Sequence, residues 1–412
     1  MFPRYFVLDQ LLKKHKTNLD FGDYYIIAVQ HLMRSTGSLF ETVLRLGVKP
    51  NQIFLTGKIY SAHNETVNKI KKLGIKIKEP TLPDRLGYYS EYLMNDIQEL
   101  WGELQCSLSP NAKVIILDDG GYALRSVPDC ILLNNSVFGI EQTTSGYRQQ
   151  NNCKQFPIIQ VATSAAKTII EPPIVSEAVR LQLGRVIRRL KTKTLGIIGF
   201  GHIGQAIAKE FSGEYQILVF DIDDSKSTSK TEKISFVPDI KDLYQASDII
   251  IGATGTDISD LSWLTESNSD KTLISVSSGD IEFNKLIRNC TPYLLEEFTS
   301  PLQDLKLRTS NGHLLQILRG GCVANFTGKP DSSPGNIIQM TRGLLFSAIL
   351  QIIRDEKKLV NLSGDCLLDP ELQRDVVNLW FKDQPQRMAD YSDAEKEGFR
   401  ELDWIREHSK QV

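Results

Sequence analysis

Apolar positions along this chain switch repeatedly between strand-like runs and helical spacing, and the switching predicts two α/β lobes. Tyr24–Val29 is a continuous apolar run of strand length. Ser35–Leu46 carries apolar residues at helical spacing and ends at Gly47. Gln52–Thr56 predicts a second strand, Glu65–Leu73 a helix closed by Gly74, and Ile75–Ile77 a short strand. A helix is expected over about residues 89–106, then a strand Val114–Leu117 that stops at Asp118-Asp119-Gly120-Gly121. Alternation of this kind implies a parallel sheet with helices on both faces and ligands beyond the carboxyl ends of the strands. His31, the segment after Thr56 and Asp118-Asp119 all follow such ends.

The pattern restarts near Ser176 with a long helix, then an apolar strand ending in the Gly199 turn. Further strands are expected at Ile217–Phe220, Asp248–Ile251 and Leu273–Val276. Asp223 through Lys230 is polar and reads as a mobile surface loop. The Gly-, Pro- and Ser-rich stretch 328–335 reads as a return hinge, paired with one near Thr168–Ser176. A helix over about 336–353 then returns to the first lobe. The tail from about 369 is helical and charged, with Trp380, Phe381 and Trp404 as docking points. The expected partition is a substrate lobe at 1–175, a Rossmann lobe at 176–328, a return segment at 329–368 and a helical tail at 369–412.

A length of 412 residues exceeds one ordinary core, which agrees with two lobes. A net charge of −2 gives no footing for nucleic acid or an anionic membrane as partner. No apolar run is expected to approach bilayer-spanning length, and Met1-Phe2-Pro3-Arg4 lacks the pattern of a secretory leader. Six scattered cysteines (106, 130, 153, 290, 322, 366) form no Cys-x-x-Cys pair. Reduced thiols in the cytoplasm, and no metal, are the expectation.

The chemistry enters at Gly199-Phe200-Gly201-His202-Ile203-Gly204. This Gly-x-Gly-x-x-Gly turn follows an apolar strand, opens a helix, and precedes a second strand that ends at Asp221. The glycines allow the tight turn, the approach of a pyrophosphate and close helix–strand packing. Asp221 accepts ribose hydroxyls and repels a 2′-phosphate, so NAD is the expected cofactor rather than NADP.

Several further segments, in shared order, resemble the S-adenosyl-L-homocysteine hydrolase family over nearly the whole chain. They are His31 through Gly47, Ile115 through Gly121, Gly139 through Gly146, Lys167, and Asn311 through Leu318 with Asn325 beyond. The resemblance implies a bound NAD+ that transiently oxidises a ribose 3′-hydroxyl of a nucleoside-type substrate. Elimination and hydrolysis at the neighbouring carbon then cleave a thioether. It places catalytic roles on His31, Asp119, Lys167 and Glu171. It places cofactor contacts on Thr143, Thr144, His202, Ile203, Thr254 and Asn325, beside the glycines and Asp221. Substrate contacts fall on Gln142, Thr36 and Ser278. It also implies a homo-oligomer, dimer or tetramer.

The sequence departs from that pattern. Glu171 stands for an aspartate, Pro172 for an asparagine, Gln142 for a glutamate, Tyr122 for an acid and Ser278 for a histidine. The adenine-closing Gly-His-Pro motif and the terminal Lys/Tyr motif are absent. Three readings stay open at this level: an enzyme of that mechanistic type with an altered substrate, a non-catalytic NAD-binding regulator, or a nucleoside or sugar epimerase or dehydrogenase.

Overall fold

The computed structural model describes residues 1–15, 21–149, 155–189 and 194–409. Cys153 lies outside the described residues. The chain divides into two compact units. The first comprises 1–81, 93–171 and 328–412; the second comprises 82–92 and 172–327. The short 82–92 segment is fastened to the second unit by Asn284 and Arg288, whose side chains donate to the Gly87 carbonyl at 2.8 and 2.9 Å.

The described strands are β1 (Tyr24–Gln30), β2 (Ile53–Gly57), β3 (Lys76–Lys78), β4 (Lys113–Asp118), β5 (Ser136–Glu141), β6 (Pro157–Gln160), β7 (Thr194–Ile198), β8 (Gln216–Phe220), β9 (Ile234–Phe236), β10 (Ile249–Gly252), β11 (Lys271–Ser275), β12 (Leu305–Arg308), β13 (Leu314–Ile317) and β14 (Gly364–Leu367).

In the first unit the strand order is β14-β6-β5-β4-β1-β2-β3, and every pairing is parallel. β1, β2 and β4 read as apolar runs because both faces are covered. The chain winds outward from β1 through β2 to β3, and in the other direction from β4 through β6. The order reverses between β1 and β4, which marks the ligand-binding crevice of such sheets.

The second unit repeats this logic with the order β12-β13-β11-β10-β7-β8-β9. Its reversal lies between β7 and β10. β12 is antiparallel to β13 and closes one edge. One apolar cluster gathers Val179, Leu183 and Ile187 with Ile197, Ile207 and Phe211. The other gathers Leu243, Trp263, Phe283 and Leu286 with Ile250 and Leu273. Helices thus cover both faces, so this is the doubly wound α/β class with a helical C-terminal region.

Two local expectations change. Asp224–Ser229 forms a short 3-10 helix rather than an open loop, because the Asp223 carboxylate accepts from Ser225 N at 3.1 Å and caps it. The helix Gly335–Arg354 is long and apolar enough to cross a membrane by length and composition. Its most apolar window is 78% buried inside the protein, so that surface is already covered.

Candidate functional site

The cofactor half of the chemistry is built from backbone. Gly199 follows β7 and has φ +96°, a conformation that favours glycine. A Cβ at Gly204 would lie 2.0 Å from the Gly199 carbonyl oxygen, so the first turn of the helix His202–Phe211 can pack on the loop only without a side chain. A Cβ at Gly201 would meet nothing within 4 Å. That opening sits at the helix N-terminus, where no side chain caps the amides. Free amides beside open space suit a pyrophosphate. His202 and Ile203 are the helix's first residues; His202 is exposed and Ile203 packs on the core.

Asp221 follows β8. Its carboxylate accepts from Phe200 N at 2.5 Å and Asp223 N at 2.9 Å, and both oxygens lie 3.0 Å from Lys226 Nζ. Burial works against the charge, yet these donors hold Asp221 below the usual carboxylate range. Thr254 and Gly255 follow β10 across the reversal from the glycine turn. Glu282 Oε1 accepts from both their amides at 2.7 Å, which fixes that loop. Ser278 follows β11 and is half-buried. Asn325 is 6% exposed, and its Oδ1 is buried without a hydrogen-bond partner among the described residues. An orphaned buried acceptor and an open glycine cradle in the same unit fit a polar cofactor.

The first unit instead gathers side chains at the carboxyl ends of its strands. His31 follows β1, Lys58 follows β2, Asp119 follows β4 and Glu141 ends β5. His31 Nε2 lies 3.2 Å from Asp119 Oδ2, and its Nδ1 is 2.6 Å from Ser61 Oγ. Lys58 Nζ pairs with the other Asp119 oxygen. Burial raises Asp119, but Lys58 and His31 outweigh it and hold the carboxyl well below the usual range. Burial lowers Lys58, and Asp119 more than reverses this. His31 is pushed down by burial despite Asp119, so its imidazole is neutral at pH 7.

Asp118 and Glu141 face each other across the β4–β5 register. Asp118 accepts from Asp119 N and Leu124 N at 2.8 and 2.9 Å. Glu141 Oε1 accepts from Gly120 N, Thr143 N and Thr143 Oγ1 at 3.1, 2.7 and 2.8 Å. Burial raises Asp118 to about 6 and, with Asp118 beside it, Glu141 to about 8. The pair therefore keeps a proton at neutral pH and bolts the two loops together. Thr143 spends its hydroxyl on this bolt, and Thr144 begins the helix Thr144–Gln149.

Lys167 sits in a π-helical turn, Ala166–Ile170, a feature that recurs at functional sites. Its ammonium contacts Glu171, whose other oxygen accepts from Thr341 Oγ1 at 2.7 Å. Burial and the Arg342 charge bring Lys167 down to about 7, while Asp119 and Glu141 oppose the shift. The tail supports this turn. Ser409 Oγ and Gln373 Oε1 accept from the Ala165 and Ala166 amides, and Tyr391 donates to the Ile170 carbonyl at 2.8 Å. Thr36 Oγ1 and Gln142 Oε1 are buried without partners among the described residues. Among the described residues no group of three or more His, Cys, Asp or Glu side chains could hold a metal.

The first unit thus contains His31, Asp119, Lys167, Glu171, Thr36, Gln142, Thr143 and Thr144. The second contains the glycines, His202, Ile203, Asp221, Thr254, Ser278 and Asn325. Sequence reasoning missed Lys58, Glu141, Glu282 and Arg342. The signal for Lys58 is its position just past a strand; for Arg342 it is a lone charge in the middle of an apolar helix.

Residues 174–258 match the family model of the D-isomer specific 2-hydroxyacid dehydrogenase NAD-binding domain. The cofactor is NAD. The family match covers about a fifth of the chain, all within the second unit.

An uncharacterised protein of Mycobacterium tuberculosis, present in strains CDC 1551 and H37Rv, is 29% identical over 354 residues. The aligned stretch covers 84% of this chain and 66% of that relative, somewhat less than two thirds of its length. Among solved structures, a dipicolinate synthase polypeptide from Bacillus halodurans covers 65% of this chain and 88% of its own, at 11% identity and TM-score 0.38. The NAD-complexed D-isomer specific 2-hydroxyacid dehydrogenase of Lactobacillus delbrueckii ssp. bulgaricus covers 79% and 98%, at 14% identity and TM-score 0.32. Overall likeness at these scores carries no argument.

The resemblance to S-adenosyl-L-homocysteine hydrolase is corrected by these findings. The family model that matches is that of the D-isomer specific 2-hydroxyacid dehydrogenase NAD-binding domain, not of that hydrolase. Its motifs have local explanations here. The glycine turn is shared by NAD-binding folds generally. The Asp118-Asp119-Gly120-Gly121 turn is held by its own carboxylate–amide bonds, and Thr143 serves Glu141. Thioether hydrolysis rested on the resemblance and falls with it. What stands is a doubly wound α/β chain whose second unit carries an NAD-binding domain similar to that of D-isomer specific 2-hydroxyacid dehydrogenases.

Proposed function

We propose that the chain is an NAD-dependent dehydrogenase that oxidises a hydroxyl of a small molecule, or reduces the matching ketone. The observation that carries the reading is the open, uncapped glycine turn before Asp221, within a domain matched to dehydrogenases. NAD, when bound, accepts or supplies the hydride. Gly199, Gly201, Gly204, His202, Ile203, Asp221, Thr254 and Asn325 are its proposed contacts, with Thr143 and Thr144 as second-rank candidates because Glu141 engages the first.

The first unit supplies proton chemistry. Lys167, brought near neutrality by burial, takes the proton of the substrate hydroxyl, and Glu171 stabilises the ammonium that forms. Asp119 stays ionised between Lys58 and His31 and fixes the imidazole toward the substrate. The orphaned oxygens of Thr36 and Gln142 bind substrate polar groups, and Ser278 is a further candidate. A cytoplasmic homo-oligomer is part of the same proposal, and light scattering measures its size.

The test is full-length protein with NAD and a panel of hydroxy acids, sugar alcohols and nucleosides, followed by reduced-nicotinamide absorbance. Sustained reduction with matching carbonyl product is the expected result. Absence of reduction across the panel, with NAD shown to be bound, overturns the reading.

A further inference from the structure

Among the described residues, each carboxylate around the first unit's cluster already has a direct cation or a set of amides, and one cation, Arg342, contacts no carboxylate directly. Asp119 pairs with Lys58, and Glu171 with Lys167. Asp331 accepts from Ser35 N at 3.0 Å and lies 4.0 Å from Arg34 Nε. Asp118 is held by two backbone amides. Arg342 is 3% exposed and forms no ion pair among the described residues. Its Nη1 donates to Gln30 Oε1 at 3.1 Å and its Nε to Ser35 Oγ at 3.4 Å, both neutral acceptors. Its remaining nitrogen has no bond among the described residues.

A buried guanidinium hydrogen-bonded only to neutral acceptors is compensated at longer range alone, here by the Asp119 and Asp331 charges. Two more donors belong to the residues that hold the guanidinium or stand next to them in the chain. The Gln30 amide that holds Nη1 has its Nε2 buried without a partner. Thr36, adjacent to Ser35 and fully buried, has a partnerless Oγ1. Gln30 ends β1, one residue before His31, so these donors share the strand end that carries the proton-transfer cluster.

We propose that Arg342, Gln30 and Thr36 form an oxyanion subsite in the first unit, which takes a carboxylate or phosphate group of a small molecule. The planar guanidinium presents two parallel donors that match such an anion, and the amide and hydroxyl donors complete its coordination. Gln30 and Ser35 hold the guanidinium in place before the ligand arrives. The proposal deepens the dehydrogenase reading by giving its substrate an anionic end.

The experiment is calorimetric titration of the full-length, NAD-containing protein with oxalate and with inorganic phosphate at constant ionic strength. Saturable binding of one probe is expected, and which one binds identifies the class. Arg342→Gln is expected to weaken it about tenfold or more, and Thr36→Val about threefold. Failure of both probes to saturate overturns the subsite. So does unchanged binding in an R342Q protein that melts like the wild type. If R342Q does not fold, T36V decides: unchanged affinity overturns the proposal and weakened affinity sustains it. Binding is read without turnover, so the two readings fail separately. Probe binding with no nicotinamide reduction by any substrate keeps the subsite and removes the dehydrogenase. Reduction by neutral alcohols with no probe binding does the reverse.

Discussion

The two units place their chemistry at the same topological point and make it from opposite materials. In each seven-stranded sheet the order reverses between the first strand and its neighbour, β1 beside β4 and β7 beside β10. At the second unit's reversal the working parts are amides, a left-handed glycine and open space. At the first unit's reversal they are buried polar and charged side chains drawn from three strand ends and from the helix Gly335–Arg354. A backbone-built site is indifferent to pH and intolerant of an added Cβ. A side-chain site tolerates local backbone change and depends on proton count.

The largest effects test the backbone half. Gly204→Ala puts a Cβ where the Gly199 carbonyl stands, so the helix must shift; overpacking of this kind costs about 1–3 kcal/mol or more. Lower melting temperature and loss of measurable NAD binding are expected together. Gly201→Ala meets no atom, so it is expected to melt like the wild type yet bind NAD weakly, because its methyl enters the cradle. Equal NAD affinity in both variants and the wild type would falsify the assignment of the turn.

The side-chain half is broken next by Lys167→Ala. Loss of a general base lowers turnover by about 10²–10⁴-fold. The wild-type rate should rise with pH through about 7 as Lys167 loses its proton, and that limb should vanish in the variant. A retained limb would move the base to another residue.

The same contrast governs what the sequence made legible. Strand and helix positions around β1, β2, β4, β7 and β10 were readable because buried strands are short apolar runs bounded by glycine or acidic turns. The glycine turn was readable because its requirements fall within six consecutive residues. The first unit's cluster was readable only in part. His31 and Asp119 stood out at strand ends, but Lys58 and Glu141 acquire meaning only when they meet partners 61 and 21 positions away, and Arg342 only across hundreds of positions. Gln30 and Arg342, separated by 312 positions, are one hydrogen bond apart. The hydrolase resemblance failed for a related reason: it weighed motif order, whereas Asp118 and Thr143 spend their polar atoms on holding their own loops.

A smaller effect comes from the raised carboxyl of Glu141, beside Asp118. Glu141 keeps its proton to about pH 8 in the fold, whereas an unperturbed glutamate releases it near 4.5. A raised carboxyl stabilises fully below the unfolded value, and that contribution is lost as pH rises toward the folded one. Wild-type stability contributed by this group should fall between pH 5 and 8, at about 1.4 kcal/mol per unit at most. Glu141→Gln retains the accepting oxygen and should flatten the slope, seen by denaturant unfolding at several pH values. Asp119 acts with the opposite sign: its depressed carboxyl stabilises above about pH 4 and loses that contribution as pH falls.

The smallest expected effect returns to the second unit, where the Lys226 and Asp221 charges meet in its backbone-built site. Lys226 lies 3.0 Å from both oxygens of Asp221 and is partly exposed, so the pair is screened and worth at most about 1 kcal/mol. Asp221 is already oriented by the Phe200 and Asp223 amides and does not need the lysine to hold its position. Lys226→Ala therefore leaves the carboxylate in place and unneutralised. It should reject the 2′-phosphate of NADP more strongly while NAD affinity changes little, a shift of about threefold in the affinity ratio. Asp221→Ser should move the ratio the other way. If Lys226→Ala instead improved NADP binding, the lysine would be acting against the phosphate rather than shielding the acid, and Asp221 would lose its place as the residue that selects NAD.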